Sequence, residues 1–244
     1  MTVTKGLTVY CHGLPGSAEE IEAFHAQGRP RPPVVKPMDS DGFEALTSNI
    51  SAAEVHLIGF SLGAMTALHL AALHPERVNT LTLIAPAAPL ELGNFLPNMV
   101  GRPVFKMAKS GVIPFKIFTA VQRLGVSLAA TKIIQTMFEG SPEPDMKLLS
   151  NPIFHDALKS GLSQSLGPDN TAYRHAVHTY VKPWADILKD IKCPVTIHHG
   201  TLDNWAPIEM SYALQKRIPA QIDLVIYEGL GHYSTLHKAY PLID

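Results

Sequence analysis

The sequence predicts an α/β fold: a mostly parallel sheet flanked by helices, with a block of helices inserted near its middle. Three observations carry this expectation. Short β-rich runs alternate with helical patterns through the first third of the 244 residues, and such alternation implies right-handed βαβ crossovers. From about Pro86 to Tyr180 the strand signal gives way to apolar residues at helical spacing. Beyond that block the alternation resumes.

Leu7–Cys11 (LTVYC) is the first strand candidate, followed by the turn HGLPGS and an amphipathic run from Ala18 to Ala26. Pro33–Lys36 reads as a weaker strand and Glu44–Ile50 as a short helix. Glu54–Gly59 (EVHLIG) predicts a third strand. Leu62–Leu73 predicts a helix by propensity and by its apolar face, and Asn79–Ile84 (NTLTLI) a fourth strand. In the inserted block Phe115, Phe118, Val121, Leu124, Leu128, Ile133, Ile134, Met137 and Phe138 recur at helical intervals, punctuated by Pro103, Pro114, Pro142, Pro144 and Pro152. Pro194–His198 (PVTIH), a helix around Ile208–Arg217 and the strand Ile222–Tyr227 (IDLVIY) complete the pattern. The boundaries assign residues 1–88 and 181–244 to one core and 89–180 to a helical cap.

Hydrophobic residues make up 46% of the chain and charged residues 17%, which suits a compact core and argues against disorder. A formal net charge of −1 gives no overall attraction for nucleic acid or an anionic membrane. The expected partner is a small-molecule substrate, neutral or weakly charged, with no nucleic acid, no stable membrane association, and a monomer or homodimer as the assembly. Cys11 and Cys193 each lie in an apolar stretch and read as buried free thiols, a disulfide being the alternative. The N-terminus runs into a strand without the apolar stretch of a signal peptide, and no run of eighteen or so residues is continuously apolar. A cytoplasmic location is expected.

Gly59-Phe60-Ser61-Leu62-Gly63 falls between a strand and a helix. A sharp turn there forces the central residue into a strained conformation and demands small residues two before and two after it. The Ser61 hydroxyl would then stand at a helix N-terminus, where N–H groups favour negative charge. The bland alternative is a glycine-rich turn with a capping serine. A serine nucleophile needs a base, and His232, in GLGH after the last strand, sits where open α/β sheets place function. Asp203, in GTLD after the preceding strand, occupies the same edge and is suited to orient the imidazole. The order Ser, Asp, His is that of one known solution to this chemistry. Expected oxyanion donors are the N–H groups of Leu62 and of Leu14, since Pro15 in the HGLPG loop has none.

The segments VYCHGLPGS, HLIGFSLGAMTALHLAALHPERV, LTLIAPAAP, IHHGTLDNWAP and GLGH resemble the α/β-hydrolase superfamily, in particular its small bacterial esterase-like and haloperoxidase-like members. The resemblance covers both ends of the chain and treats the insertion as a generic cap. It implies a Ser-His-Asp triad, no required cofactor and a lid that shapes specificity. The core looks N-terminally reduced, because the strand pair that usually precedes the oxyanion loop has no counterpart here. Serine at the elbow disfavours haloalkane dehalogenase and epoxide hydrolase chemistry, which the family performs with an aspartate there.

His198-His199, His175-x-x-His178 and the His232/His237 pair lack zinc-enzyme spacing and read as surface or strand-end histidines, so no metal is expected. His12 reads as a loop-shaping residue whose ring bonds backbone groups. Arg102, Lys106, Lys109, Lys116 and Arg123 read as a solvated cap face over an apolar pocket roof, with a membrane-binding face as the alternative. Phe60, Trp205 and Tyr233, with Leu14, are candidates for the substrate wall, and Phe115, Phe118, Met137 and Phe138 would extend it from the cap. The reaction expected is cleavage of a small, largely apolar carboxylic ester through an acyl-enzyme. Thioester or lactone hydrolysis, C–C cleavage and acyl transfer remain alternatives sharing the same triad, and a ligand-binding receptor is the non-enzyme alternative.

Overall fold

The computed structural model describes residues 6–25, 31–48 and 54–243. Six parallel strands form one sheet in the order β2-β1-β3-β4-β5-β6, with β1 at Leu7–Cys11, β2 at Val34–Val35, β3 at Val55–Phe60, β4 at Val78–Ile84, β5 at Val195–Gly200 and β6 at Ile222–Tyr227. The central strands β3, β4 and β5 are buried on both faces along their C-terminal halves, as parallel strands covered by helices must be. Edge strand β6 leaves Asp223, Val225 and Ile226 exposed. Helix α1 spans Ser40–Thr47 and α2 spans Gly63–Leu73. Helix α8 spans Glu209–Arg217, and α9 spans His232–Ile243.

Two local expectations shift. Helix α1 begins at Ser40 rather than Glu44, because the Asp39 carboxylate accepts from the Gly42 N–H and caps it there; residues 49 and 50 lie outside the described residues. The run from Ala18 forms only a 3-10 turn, Ala18–Ile21, and Ala26 also lies outside them. Within that turn the buried Glu20 carboxylate points inward and accepts the Tyr10 hydroxyl at 2.7 Å. Cys11 and Cys193 are both free and buried, and burial pushes the Cys11 thiol up to about 12.

Between β4 and β5 lie five helices: α3 (Arg102–Lys109), α4 (Val112–Met137, kinked at Ala129), α5 (Glu143–Leu149), α6 (Pro152–Ser165) and α7 (Thr171–Tyr180). They are tied to the sheet by polar contacts. The Ser165 hydroxyl accepts from the Gly16 N–H and donates to the Gly16 carbonyl, both at 3.1 Å. The Val100 N–H donates to the Asn204 carbonyl at 2.9 Å. Register aligns the C-terminal ends of the strands, pairing Cys11 with Gly59, Phe60 with Ile84, Ile84 with His198 and Gly200 with Tyr227. Every loop carrying a candidate site residue leaves the sheet at this rim.

Candidate active site

Ser61 follows directly from β3 with φ of +56°, a conformation that non-glycine residues adopt rarely and that clusters at functional sites. Its flanking glycines are sterically required. A Cβ on Gly59 would lie 2.7 Å from Ala64 Cα, and one on Gly63 would lie 2.1 Å from the Cys11 carbonyl oxygen. The Ser61 N–H continues the sheet by donating to the Ile84 carbonyl at 3.0 Å, while its own carbonyl accepts from Ala64 and Ala87. With the backbone pinned on both sides, the side chain projects at the N-terminus of α2.

The second half of the site is a buried histidine–aspartate couple. His232 Nδ1–H donates to Asp203 Oδ2 at 2.7 Å, and among the described residues Nε2 makes no hydrogen bond. Asp203 Oδ1 accepts from the N–H groups of Trp205 and Ala206 at 2.8 and 2.9 Å. Burial alone would push the Asp203 carboxyl up. The His232 ring and the hydrogen bonds from His199 and His232 outweigh burial and hold it well below the usual carboxylate range. Trp205 stacks on His232, with ring centroids 5.6 Å apart and planes 9° from parallel. The Phe60 ring lies 4.8 Å from the same imidazole. Phe60, the residue before Ser61, thus packs on His232, and among the described residues no hydrogen bond joins the Ser61 and His232 side chains.

Ser61 opens onto a cavity of about 270 Å³ whose wall includes Leu14, Leu62, Val126, Met137 and Trp205. Among the described residues neither Leu14 nor Leu62 donates its N–H to another protein group. The neighbouring Gly13 N–H is occupied, donating to Glu20 Oε1 at 2.7 Å. His12 shapes this loop by donating Nδ1–H to the Gly13 carbonyl at 2.8 Å. Of the four expected wall residues, Leu14 and Trp205 line the cavity. Phe60 and Tyr233 pack against the His232 ring instead, Phe60 4.8 Å from it and Tyr233 5.3 Å from it and perpendicular. Strand and helix geometry turn their side chains into the core. In the cap, Met137 lines the cavity, whereas Phe115 packs on Tyr173 and His178, and Phe138 on Trp205 and Tyr233.

The model of the alpha/beta hydrolase fold family matches residues 41–239. The chain belongs to the α/β-hydrolase family. Among its relatives is the pimeloyl-[acyl-carrier protein] methyl ester esterase of Pseudoalteromonas atlantica, 25% identical over 81% of this chain and 70% of that protein. The enzyme of the same name from Neisseria meningitidis is 26% identical over 90% of this chain and 78% of its own length. Among solved structures, the enol-lactonase of Burkholderia xenovorans superposes with a TM-score of 0.63 at 15% identity, covering 98% of this chain and 88% of that one. At that identity the likeness concerns the fold.

Three residues of this α/β hydrolase escape sequence reasoning. His199 is fully buried: its Nε2–H donates to the Ala206 carbonyl at 2.7 Å and lies 3.3 Å from Asp203 Oδ2, while Nδ1 pairs with the Ser211 hydroxyl. It sits on the side of β5 that Val195 and Ile197 share, a two-residue parity that was readable as burial. Glu20 braces the loop after β1, accepting from the Gly13 N–H and the Tyr10 hydroxyl. Asp145 of α5 receives the N–H groups of Tyr233 and Ser234 at 3.2 and 2.8 Å, capping the helix that His232 begins. Neither acid carries a local sequence signal. The stretch around His232, expected as loop, is the first turn of α9.

Proposed function

We propose that this α/β hydrolase cleaves a carboxylic ester of modest size and apolar character, with Ser61 as nucleophile, His232 as general base and Asp203 as the group that orients the base. The observation that carries the reading is the strained Ser61 at the mouth of an apolar cavity, one residue beyond a strand whose last ring abuts a His232 already bonded to Asp203. The names of the relatives, methyl ester esterases, support an ester as the bond attacked.

Ser61 Oγ attacks the carbonyl carbon as His232 Nε2 takes its proton. The tetrahedral oxyanion receives hydrogen bonds from the Leu14 and Leu62 N–H groups, each typically worth roughly 3 kcal/mol in such sites. The imidazolium, stabilised by Asp203, returns its proton to the departing alkoxide, which leaves as the alcohol. Water then attacks the acyl-enzyme as His232 takes its proton, and the imidazolium returns that proton to Ser61 Oγ as the acid is released. A cavity near the small end of the range for ligand sites favours short acyl groups.

Turnover of p-nitrophenyl acetate and butyrate by the wild type and by Ser61→Ala tests this. The expected result is a loss on the order of 10⁶-fold in kcat, with fluorophosphonate labelling of the wild type alone. Equal nitrophenol release by both proteins would refute it.

A further inference from the structure

Helix α4 has two apolar faces. At about 100° per residue, Phe115, Thr119 and Val126 fall on one side and are buried, packed toward α3, α6 and α7. Gln122 and Val126 on that side line the cavity at Ser61. Ile113, Ile117, Val121, Leu124 and Leu128 fall within an arc of about 80° on the opposite side, and each is between 60% and 77% exposed. A solvated cap face has no use for five large aliphatic side chains in one stripe, and contiguous apolar surface of this kind marks an interaction site.

The charge around the stripe is one-sided. From Leu92 to Phe138 the chain carries Arg102, Lys106, Lys109, Lys116, Arg123 and Lys132 and no Asp or Glu, in a protein whose net charge is −1. All six are exposed, and among the described residues none is ion-paired. Lys116 and Arg123 border the stripe along one edge.

We propose that the outer face of α4 is a docking surface for an anionic phospholipid bilayer, with the aliphatic stripe entering the acyl boundary and the basic residues meeting the headgroups. This pairing of aliphatic face and basic flank is that of helices that lie in a membrane interface. By length and composition α4 would suit a crossing, but its buried inner face belongs to the cap, so the helix lies along the surface. A second copy of the chain is disfavoured as the occupant, because apposing two such faces brings together two sets of unpaired cations. Resting on the ester reading, the arrangement sets a lipid-facing stripe and the lining of the Ser61 cavity on opposite sides of one helix. Esters dissolved in the bilayer are then the substrate class.

The test is co-sedimentation with vesicles of equal parts phosphatidylglycerol and phosphatidylcholine, and with phosphatidylcholine vesicles alone. The wild type and Ser61→Ala should bind the anionic vesicles alike, which separates docking from catalysis. The double variant Ile117→Asp/Leu124→Asp should lose about tenfold or more in binding to them, and Lys116→Glu/Arg123→Glu should lose about tenfold on the anionic vesicles alone. Both variants should keep wild-type circular dichroism and turnover of soluble p-nitrophenyl butyrate. Absence of wild-type binding to anionic vesicles overturns the proposal. So does a wild-type dimer that Ile117→Asp/Leu124→Asp converts to monomer, or stripe-dependent binding to an acidic protein with none to vesicles.

Discussion

Asp145 and Ser234 are joined twice: Asp145 Oδ1 accepts the Ser234 N–H at 2.8 Å and the Ser234 hydroxyl at 2.5 Å. A carboxylate from the helical insertion thereby caps the helix whose first residue is His232. Asp145→Ala leaves the buried N–H groups of Tyr233 and Ser234 without an acceptor, at about 1–3 kcal/mol of stability. The expected outcome is a lower urea midpoint together with at least roughly a tenfold fall in kcat, since small displacements of a catalytic group are expensive. Asp145→Asn, which keeps one acceptor oxygen, should lose less of both. Wild-type kcat in Asp145→Ala would show that the cap does not position His232.

Asp203 links the site to acid stability. Its carboxyl titrates below the ordinary value of 3.8, so the ionised form is favoured by folding. That contribution is present above about pH 4 and is lost as pH falls further, through the depressed folded value. The stability difference between wild type and Asp203→Asn, followed by urea unfolding against pH, should therefore be largest at neutral pH and shrink in strong acid. The same variant should lose on the order of 10⁴-fold in kcat at neutral pH, because the imidazole tautomer is no longer fixed.

Glu20 runs the other way. Burial raises its carboxyl from 4.5 to about 7, against the opposing hydrogen bonds from Tyr10 and Gly13 and the His232 charge. Folding favours the protonated form, so this contribution is complete below about pH 4.5 and disappears as pH rises through 7. Relative to Glu20→Gln, the wild type should lose stability over that interval by on the order of 3 kcal/mol. Parallel pH dependences in the two proteins would contradict the raised value.

Val126 tests the cavity. It lines the wall beside Ser61 and is almost fully buried. Val126→Trp should leave p-nitrophenyl acetate turnover within a fewfold of wild type and lower kcat/KM for the hexanoate by about tenfold or more, since filling a packed site excludes the longer chain. An unchanged ratio of the two substrates would place the acyl group elsewhere.

What the sequence makes legible here is local. Gly59, Ser61 and Gly63 announce their turn because the steric demand falls within five consecutive residues. Strands β1, β3 and β6 are read nearly to the residue for the same reason. Phe60 and Tyr233 show where that reading stops. Adjacency to Ser61 and His232 in sequence suggested a substrate wall, but the chain alternates sides at each step of a strand and turns about 100° at each step of a helix. Their rings therefore pack against the imidazole rather than line the cavity. The cap phenylalanines Phe115 and Phe138 face inward for the corresponding reason, each filling the space between its own helix and a neighbouring ring.

By itself the sequence determined the alternating α/β architecture, the helical block between β4 and β5, the elbow at Ser61 and the presence of an aspartate and a histidine on successive strand ends. Only the tertiary structure decided that Asp145, 89 residues before Ser234, holds the histidine helix, that Glu20 occupies the Gly13 N–H and leaves Leu14 free, and that α4 turns one apolar face to the cavity and another to the surroundings. The division is physical. Periodicity and turn sterics are imposed by neighbours along the chain, whereas a buried acid finds its donors, and a helix its second face, only once distant segments have packed.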